Sequence, residues 1–171
     1  MTKTTLTLLA LLLSVTAAAS AFAFGTRMTD TWSYYHFDGN AFTPGPADEG
    51  SVSVAVRKNV RPAFLTSSQS SLELNTLPDG TGVIAGICYL QSSGGKLGNS
   101  SSFRAYSRVP ILISSGGKHF VTAETDDRGY FVAVLPAGIY SIGSGPFAAE
   151  VVVQRGITKL VPLRVGKRMV D

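Results

Sequence analysis

The sequence predicts an all-β protein, an antiparallel sandwich or barrel behind a segment for export. Three observations predict it. After Ala23, no apolar pattern with a 3.6-residue period persists over three turns. Short runs rich in Val, Ile, Phe, Tyr and Thr recur instead, punctuated by Gly, Pro, Asn and Ser. No helical stretch separates these runs, which argues against strand–helix units and a parallel sheet.

The chain begins with a single charge, Lys3, then an apolar and small-residue run from Leu6 to Ala23. A short positive end, an apolar core and a small-x-small close at Ala21-Phe22-Ala23 are the parts of a secretory signal, so cleavage is expected after Ala23. The core is short for a full membrane span, which takes about 20 residues. The mature chain is therefore expected to be secreted or periplasmic and not membrane-spanning.

Residues 24–50 form an aromatic and then Pro/Gly-rich segment, read as an N-terminal arm, an added hairpin or a leader. Residues 51–81 follow as extra strands or a linker, with strand runs at 51–57 and 60–66. Further runs lie at 82–91, 108–114, 119–125, 130–135, 138–142, 150–154 and 158–165. The breaks carry turn chemistry: Pro78-Asp79-Gly80, Ser115-Gly116-Gly117, Asp126-Asp127-Arg128-Gly129 and Pro136-Ala137-Gly138. The Gly/Ser-rich stretch 92–102 reads as a long insertion between two strands; its Asn99-Ser100-Ser101 fits a glycosylation acceptor in a eukaryotic source.

Composition narrows the chemistry. One cysteine and two histidines leave no internal disulfide framework and no cysteine-rich zinc or haem site. Cys88 lies in the apolar run Ile84-Ala85-Gly86-Ile87-Cys88-Tyr89-Leu90, where a free thiol behaves as a small buried hydrophobe. Lys and Arg number 15 against 11 Asp and Glu, for a net charge of +4. The basic clusters Arg57-Lys58-Arg61 and Lys167-Arg168 are short and not interleaved with aromatics, so no nucleic acid is expected. A Gly-x-Ser-x-Gly elbow is absent, and His36 and His119 lie near no nucleophile motif.

The stretch 82–165 resembles the carboxypeptidase regulatory-like domain. The residues that carry the resemblance are Gly82-Val83-Ile84-Ala85-Gly86-Ile87, Val109-Pro110-Ile111-Leu112-Ile113, Thr125-Asp126-Asp127-Arg128-Gly129-Tyr130-Phe131 and Leu135-Pro136-Ala137-Gly138-Ile139-Tyr140. The resemblance implies an antiparallel Greek-key, seven-stranded β-sandwich of transthyretin type over 82–171, with the preceding residues as a β-rich extension. It also implies an accessory module without catalytic residues. The longer, Ser-rich insertion at 92–103 departs from the family's short turn.

The turn motifs have their own physics. Asp126 and Asp127 are expected to accept backbone N–H bonds two residues on, with Gly129 at positive φ. Pro136 ends a strand and Gly138 re-aims the chain. Tyr140 is placed to hydrogen-bond across the corner, and Phe131, Ala133, Leu135, Tyr140 and Ile142 are the inward candidates. The candidate binding residues are Trp32, Tyr34 and His36, which alternation puts on one face, with Tyr35 and Phe37 on the other. His36 with Asp38 has a strand spacing open to zinc, but no partner ligand stands nearby.

No catalytic, metal or cofactor residues are expected. The reading is an exported non-catalytic structural or binding module at the cell surface or in the periplasm, meeting a protein partner of the cell envelope. Two alternatives stand beside it: a carbohydrate-binding module using Trp32 and Tyr34, with polysaccharide as partner, and a subunit of an extracellular filament assembled by strand exchange, a homo-oligomer.

Overall fold

The computed structural model describes residues 31–66, 72–93, 103–143 and 147–169, and its regular elements are all β-strands. The expected export signal, its cleavage point after Ala23 and the Asn99 acceptor lie outside these residues. In chain order the strands are β1 (Ser33–Phe37), β2 (Phe42–Pro44), β3 (Ser53–Val56), β4 (Ala63–Leu65), β5 (Thr81–Ser93) and β6 (Phe103–Ala105). They continue with β7 (Pro110–Ser115), β8 (Lys118–Glu124), β9 (Tyr130–Pro136), β10 (Gly138–Ile142), β11 (Ala149–Val153) and β12 (Thr158–Met169).

Three sheets form. One has the order β11-β10-β7-β8; a second runs β12-β5-β6, with β9 also on β5; a third, N-terminal sheet runs β2-β1-β3-β4. Most neighbours are antiparallel, as the short turns require. β5 and β12 are parallel, from Thr158↔Val83 to Met169↔Ser93, a pairing that the sequence-based expectation of an antiparallel sandwich did not contain. Strand propensity is blind to the direction of a partner so far along the chain.

β5 explains why the layers stack. Its residues Val83 to Tyr89 are buried on both faces, the near-continuous apolar run that a doubly covered strand needs. Ile84 and Cys88 point into a core with Ile111, Ile113, Phe131, Leu135, Tyr140, Ile142, Val151, Val161 and Leu163, which joins the first and second sheets. Ile87 and Tyr89, on the opposite face, meet Phe37, Val52, Val54 and Tyr130 in a second core under the N-terminal sheet. The inward set expected from alternation in β9 and β10 is therefore the inward set observed.

The aromatics cement the second core. The Phe37 ring lies 4.7 Å from Tyr89 and 4.8 Å from Phe103, and Phe64 lies 4.9 Å from Tyr130. Phe103 is the first residue of β6, a strand the expected Ser-rich insertion hid. The division at 50/51 between an arm and extra strands does not follow the hydrogen bonding. β1 of the expected arm pairs with β3 of the expected extra strands, Tyr35↔Val54 and His36↔Ser53, and both cover the outer face of β5.

Gly86 is a tight point within the second sheet. A Cβ there would collide with the Val161 carbonyl on β12, and would sit 2.7 Å from the Phe131 ring on β9. Gly86→Ala is expected to cost about 3 kcal/mol, since neither backbone nor ring has room to retreat. Urea denaturation at pH 7 measures it; a loss under about 1 kcal/mol would mean that β9 and β12 have room to retreat from β5 at this point.

Candidate functional site

The N-terminal sheet turns one face inward and one outward, in the alternation expected of β1. Phe37 is buried beneath it, while Trp32 and His36 are half-buried and Tyr34 is 38% exposed on the other side. Cross-strand pairing sets their neighbours: Thr43 and Ser53 flank His36, and Ala55 sits opposite Tyr34 with Ala63 beyond it. Tyr34 and His36 share the outer face of the sheet and Trp32 immediately precedes it, with small residues beside Tyr34.

His36 is a holding residue on that surface. Its Nδ1 lies 3.3 Å from the Gly45 carbonyl, which can only accept, so Nδ1 carries the proton. Nε2 then accepts from the Thr43 hydroxyl at 3.0 Å. Asp38, considered as a zinc partner, instead accepts from the amides of Asn40 and Ala41, both at 2.8 Å, and closes the β1–β2 hairpin. Those two bonds hold its carboxyl below the ordinary range. Among the described residues, no group of three or more His, Cys, Asp or Glu is placed to hold a metal.

The turn motifs of the sandwich are similarly engaged. Asp126 Oδ1 accepts from Arg128 N–H at 2.9 Å and from Tyr130 N–H at 2.8 Å. Gly129 has φ 79°, and a side chain there would press on the Cys88 carbonyl at 2.8 Å. Asp127 departs from the expectation: it pairs with Arg108, Nε to Oδ1 at 2.7 Å and Nη2 to Oδ2 at 2.9 Å. The 19-residue separation between these two residues gave no local signal of that bidentate pair. Pro136 ends β9 and Gly138 begins β10, and the Tyr140 hydroxyl donates to the Pro136 carbonyl at 3.0 Å across the corner.

Cys88 is a free, fully buried thiol, and desolvation pushes its pKa to about 11, far from a reactive thiolate. It backs a largely apolar pocket of about 460 Å³ at one end of the sandwich, between the start of β7 and the end of β12. Two grooves of about 320 and 400 Å³ lie elsewhere, along β12 beneath the N-terminal sheet, and share Tyr35, Val56 and Thr158. These grooves combine residues far apart in sequence, and no local motif announced them.

No family model matches the chain, and no curated protein matches it. Among solved structures, the chain is similar to GBS52, the minor pilin of the Gram-positive pathogen Streptococcus agalactiae. Identity is 12% and the TM-score 0.38, over 76% of this chain and 66% of that one.

The Arg108–Asp127 pair gives a pH test. Hydrogen bonding to Arg108, then its charge, lowers the Asp127 pKa from 3.8. A carboxylate whose folded pKa is depressed adds stability above the unfolded value and loses it as pH falls through the folded one. Asp127→Ala is therefore expected to lower the urea midpoint slightly at pH 7 and to match the parent at about pH 2. Both side chains are well exposed, so added salt is expected to shrink the difference. A gap that is the same at both pH values contradicts the assignment.

Proposed function

We propose that this chain is an exported, non-catalytic structural or binding module that acts through protein–protein contacts at the cell surface or in the periplasm. Residues 82–165 are read, in the same proposal, as a Greek-key sandwich of the transthyretin-like, carboxypeptidase regulatory-like kind. The seven strands in the orders β8-β7-β10-β11 and β9-β5-β12 support that reading, as does the Tyr140 corner.

One observation carries the functional part. On the outer face of the β11-β10-β7-β8 sheet, Ile139 and Val152 stand directly opposite each other at 59% and 54% exposure, and Leu112 on the same face is 46% exposed. A contiguous pair of large apolar side chains, held on a rigid sheet with both strands anchored in the core, favours a protein partner. The polar groups with chemical potential, by contrast, have partners within the fold: Asp38, Asp126 and Tyr140 at turns and corners, Asp127 with Arg108, and His36 with Gly45 and Thr43.

A second reading, a subunit of an extracellular filament, rests on the edges of two sheets. Among the described strands, β8 and β12, of 7 and 12 residues, each have a neighbour on one side only. β1 itself is bonded to both β2 and β3, so contacts between copies would draw on these edges and not on release of β1.

Photo-cross-linking from positions 139 and 152 in the full chain, in its native cells, tests the proposal. A discrete protein adduct, lost on Leu112→Glu, is expected. Adducts no different from those of a control at exposed Asp79 would remove it. Glycan binding abolished by Trp32→Ala would move the function to carbohydrate.

A further inference from the structure

The two grooves beneath the N-terminal sheet adjoin, with Tyr35, Val56 and Thr158 lining both, and together make up a cleft along β12. Its floor is the edge of β12 that no described strand occupies, and its roof is Tyr35, Phe42 and Val56. The direction of the β12 backbone follows from one bond: the Val83 N–H donates to the Ile157 carbonyl at 3.0 Å. In a parallel pair, alternate residues turn their peptide groups to opposite sides, so 157, 159 and 161 face β5. Thr158, Leu160 and Pro162 therefore direct their backbone groups to the open edge. Pro162 has no N–H, which leaves Thr158 and Leu160 as the donors within the cleft.

Two further observations say what fits. Among the described residues, Thr158 Oγ1 is buried with no hydrogen-bond partner, a costly state for a hydroxyl that a small side-chain shift toward an entering polar group relieves. The charges lining the cleft are all positive: Arg57 and Lys58 at one end and Lys159 in the middle, with no carboxylate among the described lining residues. Lys58 is held there by the turn that follows it, because Asn59 N–H donates to the Gly156 carbonyl at 2.8 Å, next to the start of β12.

We infer that this cleft receives an extended acidic segment of a partner protein, which adds as a short strand along Thr158–Leu160 of β12. Apolar side chains of that strand pack under Tyr35, Phe42 and Val56, and a polar one bonds Thr158 Oγ1. Its carboxylates face Lys58 and Lys159, and Pro162 ends the added ladder. Strand addition supplies affinity through main-chain bonds, and the lysines select the sign of charge. The inference names a partner class for the protein-binding reading above and depends on that reading, but uses a different surface from Ile139 and Val152.

The probe is a short fluorescent peptide alternating glutamate with valine, with one central threonine. Two control peptides carry lysine for glutamate, or N-methyl groups on alternate residues. Fluorescence anisotropy with the exported full chain is expected to give saturable binding of the glutamate peptide. Lys58→Glu with Lys159→Glu is expected to weaken it by about tenfold or more, with an unchanged circular dichroism spectrum. Thr158→Val is expected to leave the fold intact and weaken binding by about fivefold. No binding, equal binding of the lysine peptide, or equal binding of the N-methylated peptide would each overturn the inference; the last would mean a polyanion site without strand addition. Cross-linking from positions 139 and 152 reads the broader proposal independently, so either can fail alone.

Discussion

β5 has no face left for water between Val83 and Tyr89, and the rest of the molecule is arranged around that constraint. A strand buried on both sides must have its backbone groups paired along both edges, because a buried unpaired amide costs as much as a lost hydrogen bond. β12 takes one edge, while β9 and then β6 take the other. Its side chains must also satisfy two cores at once. Gly86 sits where the Phe131 ring of β9 closes over the strand. Burial of this kind contributes roughly 1.5–3 kcal/mol per large apolar side chain, so both cores draw on the same strand for stability.

This arrangement decides where function can lie. With the middle sheet enclosed, contacts with other molecules fall to the outer faces of the flanking sheets, to free edges and to the seams between layers. The N-terminal sheet matters twice. Its inner side seals β5 through Phe37, Val54 and Phe64, and its rim overhangs β12 to form the cleft around Thr158. Residues such as Asp126 and Tyr140 look chemically suggestive in isolation, but they hold the corners that let the chain pass from one sheet to the other.

Much of the sandwich was legible because its signals are local. Asp126 and Gly129 mark a turn whatever surrounds them, and Phe131, Ala133 and Leu135 alternate cleanly along β9. The layer above β5 was less legible. The apolar run from Val83 to Leu90 reads the same whether its second face is covered by a sheet, a helix or another chain, and residues 51–57 and 60–66 were seen as strands without a destination. β1 showed its alternation, Tyr35 and Phe37 against Trp32, Tyr34 and His36, but the Pro- and Gly-rich residues after it masked the hairpin. β6 has only three residues, and its one informative side chain, Phe103, follows a Ser-rich run. The cleft was out of reach, since Tyr35 of β1, Lys58 in the turn after β3 and Thr158 of β12 line it together only once the N-terminal sheet has packed on β5.

The central claim is that one strand binds three layers into a single cooperative unit. Residue-resolved native-state hydrogen exchange in increasing urea tests it most directly. The slowest amides of β1, β3, β5, β9 and β10 are expected to converge on one global unfolding free energy. Exchange of β1 and β3 at a free energy about 3 kcal/mol or more below that of β5 would contradict it, because the N-terminal sheet would then open while the sandwich stays folded.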